Sequence, residues 1–410
     1  MNHNTTESSV IPIRTLRERF RRKRITCIML FCITIILIIT IPTIIVLVKN
    51  KSTTKTSTTY TISTDSTSFV IPTSTIDEVS TDSMPSVIQT SSRLTITTLT
   101  KEQMVTSVHN DINVKWMQNA MTVAGGHGRG DELKQLANPY GIDIVQEDND
   151  QLIYVTDYDN HRIMEWRSNA IEGRVIAGGN YIGSSIYQLN QPTDVVFDEK
   201  DDSLIICDKG NRRIVRWFRQ KHTTPQIIIS YIDCWSLAID SQRNLYVVNY
   251  GMSEIRRYSE NDTDGTLIAN GYNNTDRFNQ PSYIFIDKND SIYLSDWGNH
   301  QVIKQMKDMS YNSIVAGGHG FGNDSKQLIY PQGIFVDHLD NVYVVDGDNS
   351  RIMRWCKECE KGEKVIGGNG FGILENQLNG PKDMVFDREN NIYVVDKDNH
   401  RVQKFSVDVD

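Results

Sequence analysis

Charge is missing altogether between Ile25 and Val48, a run of 24 residues reading ITCIMLFCITIILIITIPTIIVLV. As a helix it would reach roughly 36 Å at about 1.5 Å per residue, enough to cross a hydrocarbon core of about 30 Å. No small-x-small cleavage site follows, and the run is longer than the apolar part of a cleaved leader, so a retained signal-anchor is expected at 25–48. Seven basic residues crowd positions 14–24 and only Lys49 and Lys51 follow closely. The positive-inside bias then leaves the basic tail, 1–24, in the cytosol and puts the rest outside the cell or in a secretory lumen. Cys27 and Cys32, near the cytosolic end of the run, are candidates for palmitoylation or plain apolar packing.

Aromatic residues are scarce beyond the run, and 29 of the 57 residues at 52–108 are Ser or Thr. Such a segment cannot bury enough apolar surface to offset its ordering entropy, so 49–115 is expected to be a disordered, O-glycosylated stalk. An excess of positive charge is missing from the remainder. Residues 109–410 carry 31 Lys/Arg against 44 Asp/Glu, so no nucleic-acid partner is expected. Catalytic and metal patterns are missing too. His127, His161, His300, His319 and His400 lie in loops without an H-x-E or H-E-x-x-H spacing, and no second CxxC accompanies Cys356 and Cys359 to complete a zinc site. Neither a metal nor another cofactor is expected. The runs AGGHGRG, AGGHGFG and GGNGFG resemble phosphate loops, but each is followed by a strand, and phosphate binding needs a helix there.

What the sequence does contain is a repeat. NIYVVDKDNHRVQKF, residues 391–405, pairs a buried β-branched run with a turn and a second, alternating strand. Five earlier copies align on Asp157, Asp208, Asn249, Asp296 and Asp346 with Asp396, at spacings of 51, 41, 47, 50 and 50. An all-strand period of this length predicts a propeller, because one four-stranded unit cannot cover both of its own faces. Endings such as VAGG and RVIAGG supply a fourth strand, and runs such as GIDIV and DVVFD supply an inner one. The last copy has three strands only. A strand over Met117–Ala124 is therefore expected to complete it, making residues 116–410 a closed, all-β, six-bladed propeller.

Asn-His-Arg at 160–162 and 399–401, Tyr-Val-x-Asp, and a Leu-x-x-Pro lead-in such as Leu136–Pro139 accompany the repeat. With these features it resembles the NHL family of β-propellers over about residues 116–405. The resemblance implies the fold and leaves the function open. Some NHL-like propellers are lyases or hydrolases with metal at the ring, the peptide-amidating lyase among them, and that use would require His on the inner strands, where this chain has none. Tripartite-motif ubiquitin ligases carry NHL propellers that bind RNA or protein, but no Cys/His module precedes this one. The preferred expectation is a single-pass membrane protein without enzymatic activity, its propeller displayed for an extracellular protein or glycan.

The recurring Asp157/Asn160/Arg162, Asp208/Asn211/Arg213, Asp296/Asn299, Asp346/Asn349/Arg351 and Asp396/Asn399/Arg401 are expected to stabilise turns, since a short carboxylate can accept the turn's own N–H groups and an Arg can return to it. Arg129, Tyr158, Trp297, Phe321 and Phe371 are candidate binding residues on the loop face. Cys207 is expected to pair with Cys234, and Cys356 with Cys359. Sequons at Asn261, Asn273, Asn289 and Asn323 fall in turns or loops and suit an external location.

Overall fold

The computed structural model describes residues 61–64, 67–70, 114–147, 150–220, 222–271, 278–306 and 312–409. The expected cytosolic tail, the 25–48 span, most of the stalk and Asn273 lie outside them. Among the described residues no helix is long and apolar enough to cross a membrane. The chain divides into two units, residues 1–94 and 95–410. In the first, where no regular structure is expected, strand Thr61–Thr64 pairs antiparallel with Thr67–Val70. The Ser/Thr composition that suits a stalk also supplies β-branched Thr, which suits a strand.

The second unit is built from six four-stranded antiparallel sheets. Blades 1 to 5 span 139–178, 194–230, 234–270, 281–317 and 331–367. Blade 6 takes three strands from 384–405 and its outermost from Met121–Gly125. Second strands such as Ile392–Asp396 and Val342–Asp346 are buried at every position. Both of their faces are covered by neighbouring blades, which is why they read as continuous apolar runs and not as alternating ones. The core is accordingly divided among the blade interfaces. One cluster joins Tyr393, Val395 and Val402 of blade 6 to Ile142, Val155, Met164 and Trp166 of blade 1.

Third and fourth strands slip register at the same point in each blade, between Ile163 and Met164 in blade 1 and between Val402 and Gln403 in blade 6, a bulge that increases the twist. The fourth strand of blade 1 ends at Gly178, with φ of +68°, and a Cβ there would stand 2.5 Å from the His161 carbonyl oxygen. Only glycine combines that dihedral with that approach.

Met121–Gly125 pairs with Arg401–Phe405, so the two ends of the unit close the ring. This strand starts four residues later than the sequence suggests. Residues 116–120 have other bonds to make: Trp116 packs edge-on to Tyr343 and Phe386, its Nε1 donates to Asn390 O (2.8 Å), and Ala120 N donates to Glu375 O (3.0 Å). First strands of successive blades touch one another all the way round, the last against the first included.

Candidate functional site

One face of the disc is built from the turns between second and third strands and the loops between blades. Each turn is tied by the carboxylate that ends its second strand. In blade 1, Asp157 Oδ2 accepts from Arg162 Nε (2.7 Å) and Asn160 Nδ2 (2.8 Å), while Oδ1 accepts from Ala137 N (2.7 Å). The other end of Arg162 donates to the carbonyls of Asp131, Glu132 and Gln135 in the loop entering the blade. The same bonds recur at Asp208 with Asn211 and Arg213, at Asp346 with Asn349 and Arg351, and at Asp396 with Asn399 and Arg401. In blade 4, Asp296 is met by Asn299 and by Gln301 in place of an arginine. Blade 3 moves the carboxylate to the third strand, with Asn249 donating to Glu254 and Arg256 turning back to the same carboxylate.

Each turn is a single 3-10 turn ending in a left-handed residue. Where that residue is histidine, its Nδ1 accepts a backbone N–H: His161 from Gln191, His300 from Tyr330 and His400 from Asn138, at 3.1 to 3.3 Å. Burial lowers the pKa of His161 and His400, which favours the neutral ring this bond needs. His161, His300 and His400 thus join adjacent blades. Among the described residues no group of three His, Cys, Asp or Glu is placed to hold a metal.

Two sets of six equivalent positions face the ring's axis on this side. One follows the lead-in proline and holds Tyr140, Thr193, Trp235, Ser282, Gln332 and Lys382. The other opens the 3-10 turn and holds Tyr158, Lys209, Tyr250, Trp297, Gly347 and Lys397. Tyr158 packs on Tyr140 (centroids 4.6 Å apart), Tyr140 meets Trp235 edge-on (5.9 Å), and Trp235 packs on Tyr250 (5.0 Å). The four rings form a continuous row from blade 1 to blade 3. Lys209 Nζ lies 4.6 Å from the Trp235 ring, and Lys382 and Lys397 each lie 5.8 Å from that of Tyr140. Burial, with Asp398 and Asp159 next, pushes the Tyr140 hydroxyl up to about 12. Burial and then the neighbouring Lys397 pull Lys382 down to about 8.

Beneath this bowl the axis is closed. The hydroxyl of Tyr283, in blade 4, donates to the carbonyl of Tyr140 in the opposite blade (3.4 Å). Around it runs a ring of bonds between inner strands. Asp383 accepts from Ile142 N, Asp143 from Phe197 N, Asp194 from Leu237 N and Ser236 from Ile284 N. Burial raises all three carboxyls, Asp143 to about 6 and Asp194 to about 7, and the proximity of Asp194 raises Asp383 further.

Their folded values exceed the ordinary 3.8, so the native state holds protons that the unfolded chain has released. For Asp143 and Asp194 the contribution is greatest at low pH and declines as pH rises from about 4 to about 6 and about 7 respectively, by at most about 1.4 kcal/mol per pH unit for each group. Serine at this position already serves blade 3. Asp194→Ser is therefore expected to gain stability relative to the parent across that window and to hold a constant difference above it. Thermal unfolding of both proteins at pH 4 to 8 checks this, and a pH-independent difference contradicts it.

Cys207 and Cys234 are disulfide-bonded, with Cα atoms 5.7 Å apart, and Cys356 is bonded to Cys359. Cys234 occupies the position held by the lead-in proline in the other blades. Its bond to blade 2 therefore anchors the residue immediately before Trp235.

The five candidate binding residues fall into two sets. Tyr158 and Trp297 belong to the bowl, Trp297 stacked on Tyr330 at 4.0 Å. Arg129, Phe321 and Phe371 share a separate position in the loops between blades, bridged to Leu136, Leu328 and Leu378. Phe321 and Phe371 are 60% and 65% exposed, whereas Arg129 is paired with Asp159 at 2.9 Å. Tyr140, Lys209, Trp235, Tyr250, Lys382 and Lys397 are the residues that sequence reasoning missed. Aligning the repeats column by column places them in two of the columns whose residue types change while the Asp–Asn–Arg framework recurs. Asn261 and Asn289 are exposed in loops of the opposite face, and Asn323 is exposed on the bowl side.

Residues 378–405 match the NHL repeat. No curated protein matches the sequence. Among solved structures, the propeller is similar to a protein of unknown function from Bacteroides thetaiotaomicron VPI-5482, with a TM-score of 0.57 and 17% identity over 72% of this chain and 77% of that one. It is also similar to auxiliary nutrient binding proteins from the same organism (TM-score 0.56, 15% identity) and from Bacteroides ovatus ATCC 8483 (TM-score 0.54, 17% identity), each again over 72% of this chain and 77% of the other.

Proposed function

We propose that this NHL-repeat propeller is a ligand-binding module whose site is the bowl at the axis, displayed on the outer or lumenal side of a membrane by the anchor at 25–48. The row Tyr158–Tyr140–Trp235–Tyr250 carries the reading. Four rings on a rigid, disulfide-anchored floor present a large apolar surface with polar tips at little entropic cost, which suits recognition. The reading is of binding without turnover, because the bowl's two columns are aromatic, lysine, glutamine or small residues with no paired nucleophile and base. Two similar solved propellers are described as nutrient-binding proteins, which gives the fold a precedent. The membrane arrangement rests on the uncharged run, the basic residues before it and the external character of the disulfides.

The full-length protein screened against glycans and small molecules is expected to yield ligands recovered unchanged and bound at least tenfold more weakly by Trp235→Ala. His338→Ala, on the opposite face, should bind like the parent. Ligands indifferent to Trp235→Ala place recognition elsewhere. On the same protein made in a secretory host, an N-glycosidase should remove mass that is absent when Asn261, Asn273, Asn289 and Asn323 are all replaced by Gln; an unglycosylated product contradicts the outward topology.

A further inference from the structure

The bowl's twelve axial positions include three lysines and no carboxylate, although residues 109–410 carry an excess of acid. Asp159, Asp348 and Asp398 are close enough to act on Tyr140 or Lys382, so it is these two columns, and not the whole rim, that are cationic. Lys209 and Lys382 make no ion pair with any described residue, and their ammonium groups lie 4.6 and 5.8 Å from aromatic rings. Lys397 lies at the same 5.8 Å from Tyr140 as Lys382, so two ammonium groups share one ring. The Nε1–H of Trp235 is buried and has no acceptor among the described residues. A buried donor left unpaired carries the desolvation cost of its hydrogen bond. The site thus has spare donors and positive charge beside a flat apolar wall.

We propose, resting on the binding role inferred above, that the bowl takes a small organic carboxylate with a flat apolar face, its carboxylate between Lys382 and Lys397 and its face against Tyr140 and Trp235. The charged groups around Lys382 are of both signs. Lys397 opposes its charge, and Asp348 and Asp398 support it, but Asp398 is engaged by Lys397 at 2.8 Å. Asp159, nearest Tyr158, is held by Arg129 and Asn138. An anion between the two lysines relieves their repulsion and restores the protonated form of Lys382. Affinity therefore declines as pH rises past about 8.

The test uses the full-length protein with D-glucuronate, benzoate, acetate and D-glucose as probes, read by calorimetry and by Trp fluorescence at pH 6.5 and 9.5. Glucuronate or benzoate is expected to bind at least tenfold tighter than both acetate and glucose, and more weakly at pH 9.5. Preference between the two separates an acidic sugar from an aromatic acid. Lys382→Met should lose at least tenfold, with Lys397→Met as a second variant and an unchanged melting temperature as the folding control. Acetate binding as tightly as benzoate and glucuronate overturns the flat face. Glucose binding as tightly as glucuronate, with loss on Trp235→Ala and none on Lys382→Met, overturns the anion and leaves the binding role intact. Failure of both carboxylates to bind at about 10 mM, ten times the concentration at which a binding free energy of about −4 kcal/mol half-fills a site, also overturns the proposal; the wider screen then decides the binding role.

Discussion

Deleting residues 114–125 is expected to unfold the entire propeller, although these residues form only one outer strand. That strand pairs with Arg401–Phe405, and its loss leaves blade 6 with an open edge. The segment before it is attached to blades 5 and 6 together. Trp116 is buried against Tyr343 of blade 5 and Phe386 of blade 6, and Gln118 Nε2 donates to Val365 O (2.9 Å). Removing a buried Trp alone costs about 3–5 kcal/mol, and whole domains are stable by only about 5–15. An open solenoid would lose one unit and keep the rest. A ring has no terminal unit to lose, because the first inner strand of blade 1 packs on that of blade 6. Full-length protein and the deletion should be compared by circular dichroism on heating. The deletion is expected to show no cooperative transition, or one lowered by more than about 10 °C, and Trp116→Ala an intermediate loss. If the deletion melts as cooperatively and as hot as the parent, closure contributes nothing.

The framework was legible because it is local and repeated. Val394-Val395-Asp396 says strand and turn within three residues, and five approximate copies remove the ambiguity of any one. Closure was legible from a count, since blade 6 lacked a fourth strand and the strand expected at Met117–Ala124 lacked a sheet. The Cys207–Cys234 pairing followed because both residues map to the same end of adjacent blades. The bowl was not legible in this way. Tyr140 and Trp235 are 95 residues apart, and each taken alone reads as an ordinary packed aromatic. Only the ring's curvature brings them to 5.9 Å. Tyr283 illustrates the same point. Its column otherwise holds Gly, Asp or Ser, and nothing local says that its ring reaches the opposite blade. Phe321 and Phe371 were candidates as exposed aromatic loop residues, and both are exposed, but at loop positions outside the aromatic row.

Arg401→Leu is expected to be among the most damaging single substitutions outside the apolar core, costing about 3–5 kcal/mol, because it leaves a buried carboxylate without its cation. Asp396 is fully buried and would retain only Asn399 Nδ2 and Asn379 N as donors. The carbonyls of Ile373, Leu374 and Gln377 would lose the guanidinium they now share, at 2.9 to 3.1 Å. These are two separable roles, and blade 4 separates them. Gln301 Nε2 donates to Asp296 Oδ2 at 2.7 Å, so an amide of this length can satisfy the carboxylate. Arg401→Gln should therefore cost roughly half as much as Arg401→Leu, the remainder being the loop carbonyls. Pairing Arg401→Leu with Asp396→Val should recover part of the loss, since a removed ion pair is less costly than a broken one. Urea unfolding at pH 7 of the parent, both single variants and the double variant measures all three. An Arg401→Leu variant within about 1 kcal/mol of the parent would mean that Asp396 is neutral in the folded state. The recurring Asp–Arg pair would then serve to shape the loops that frame the bowl, with little part in holding the blades together.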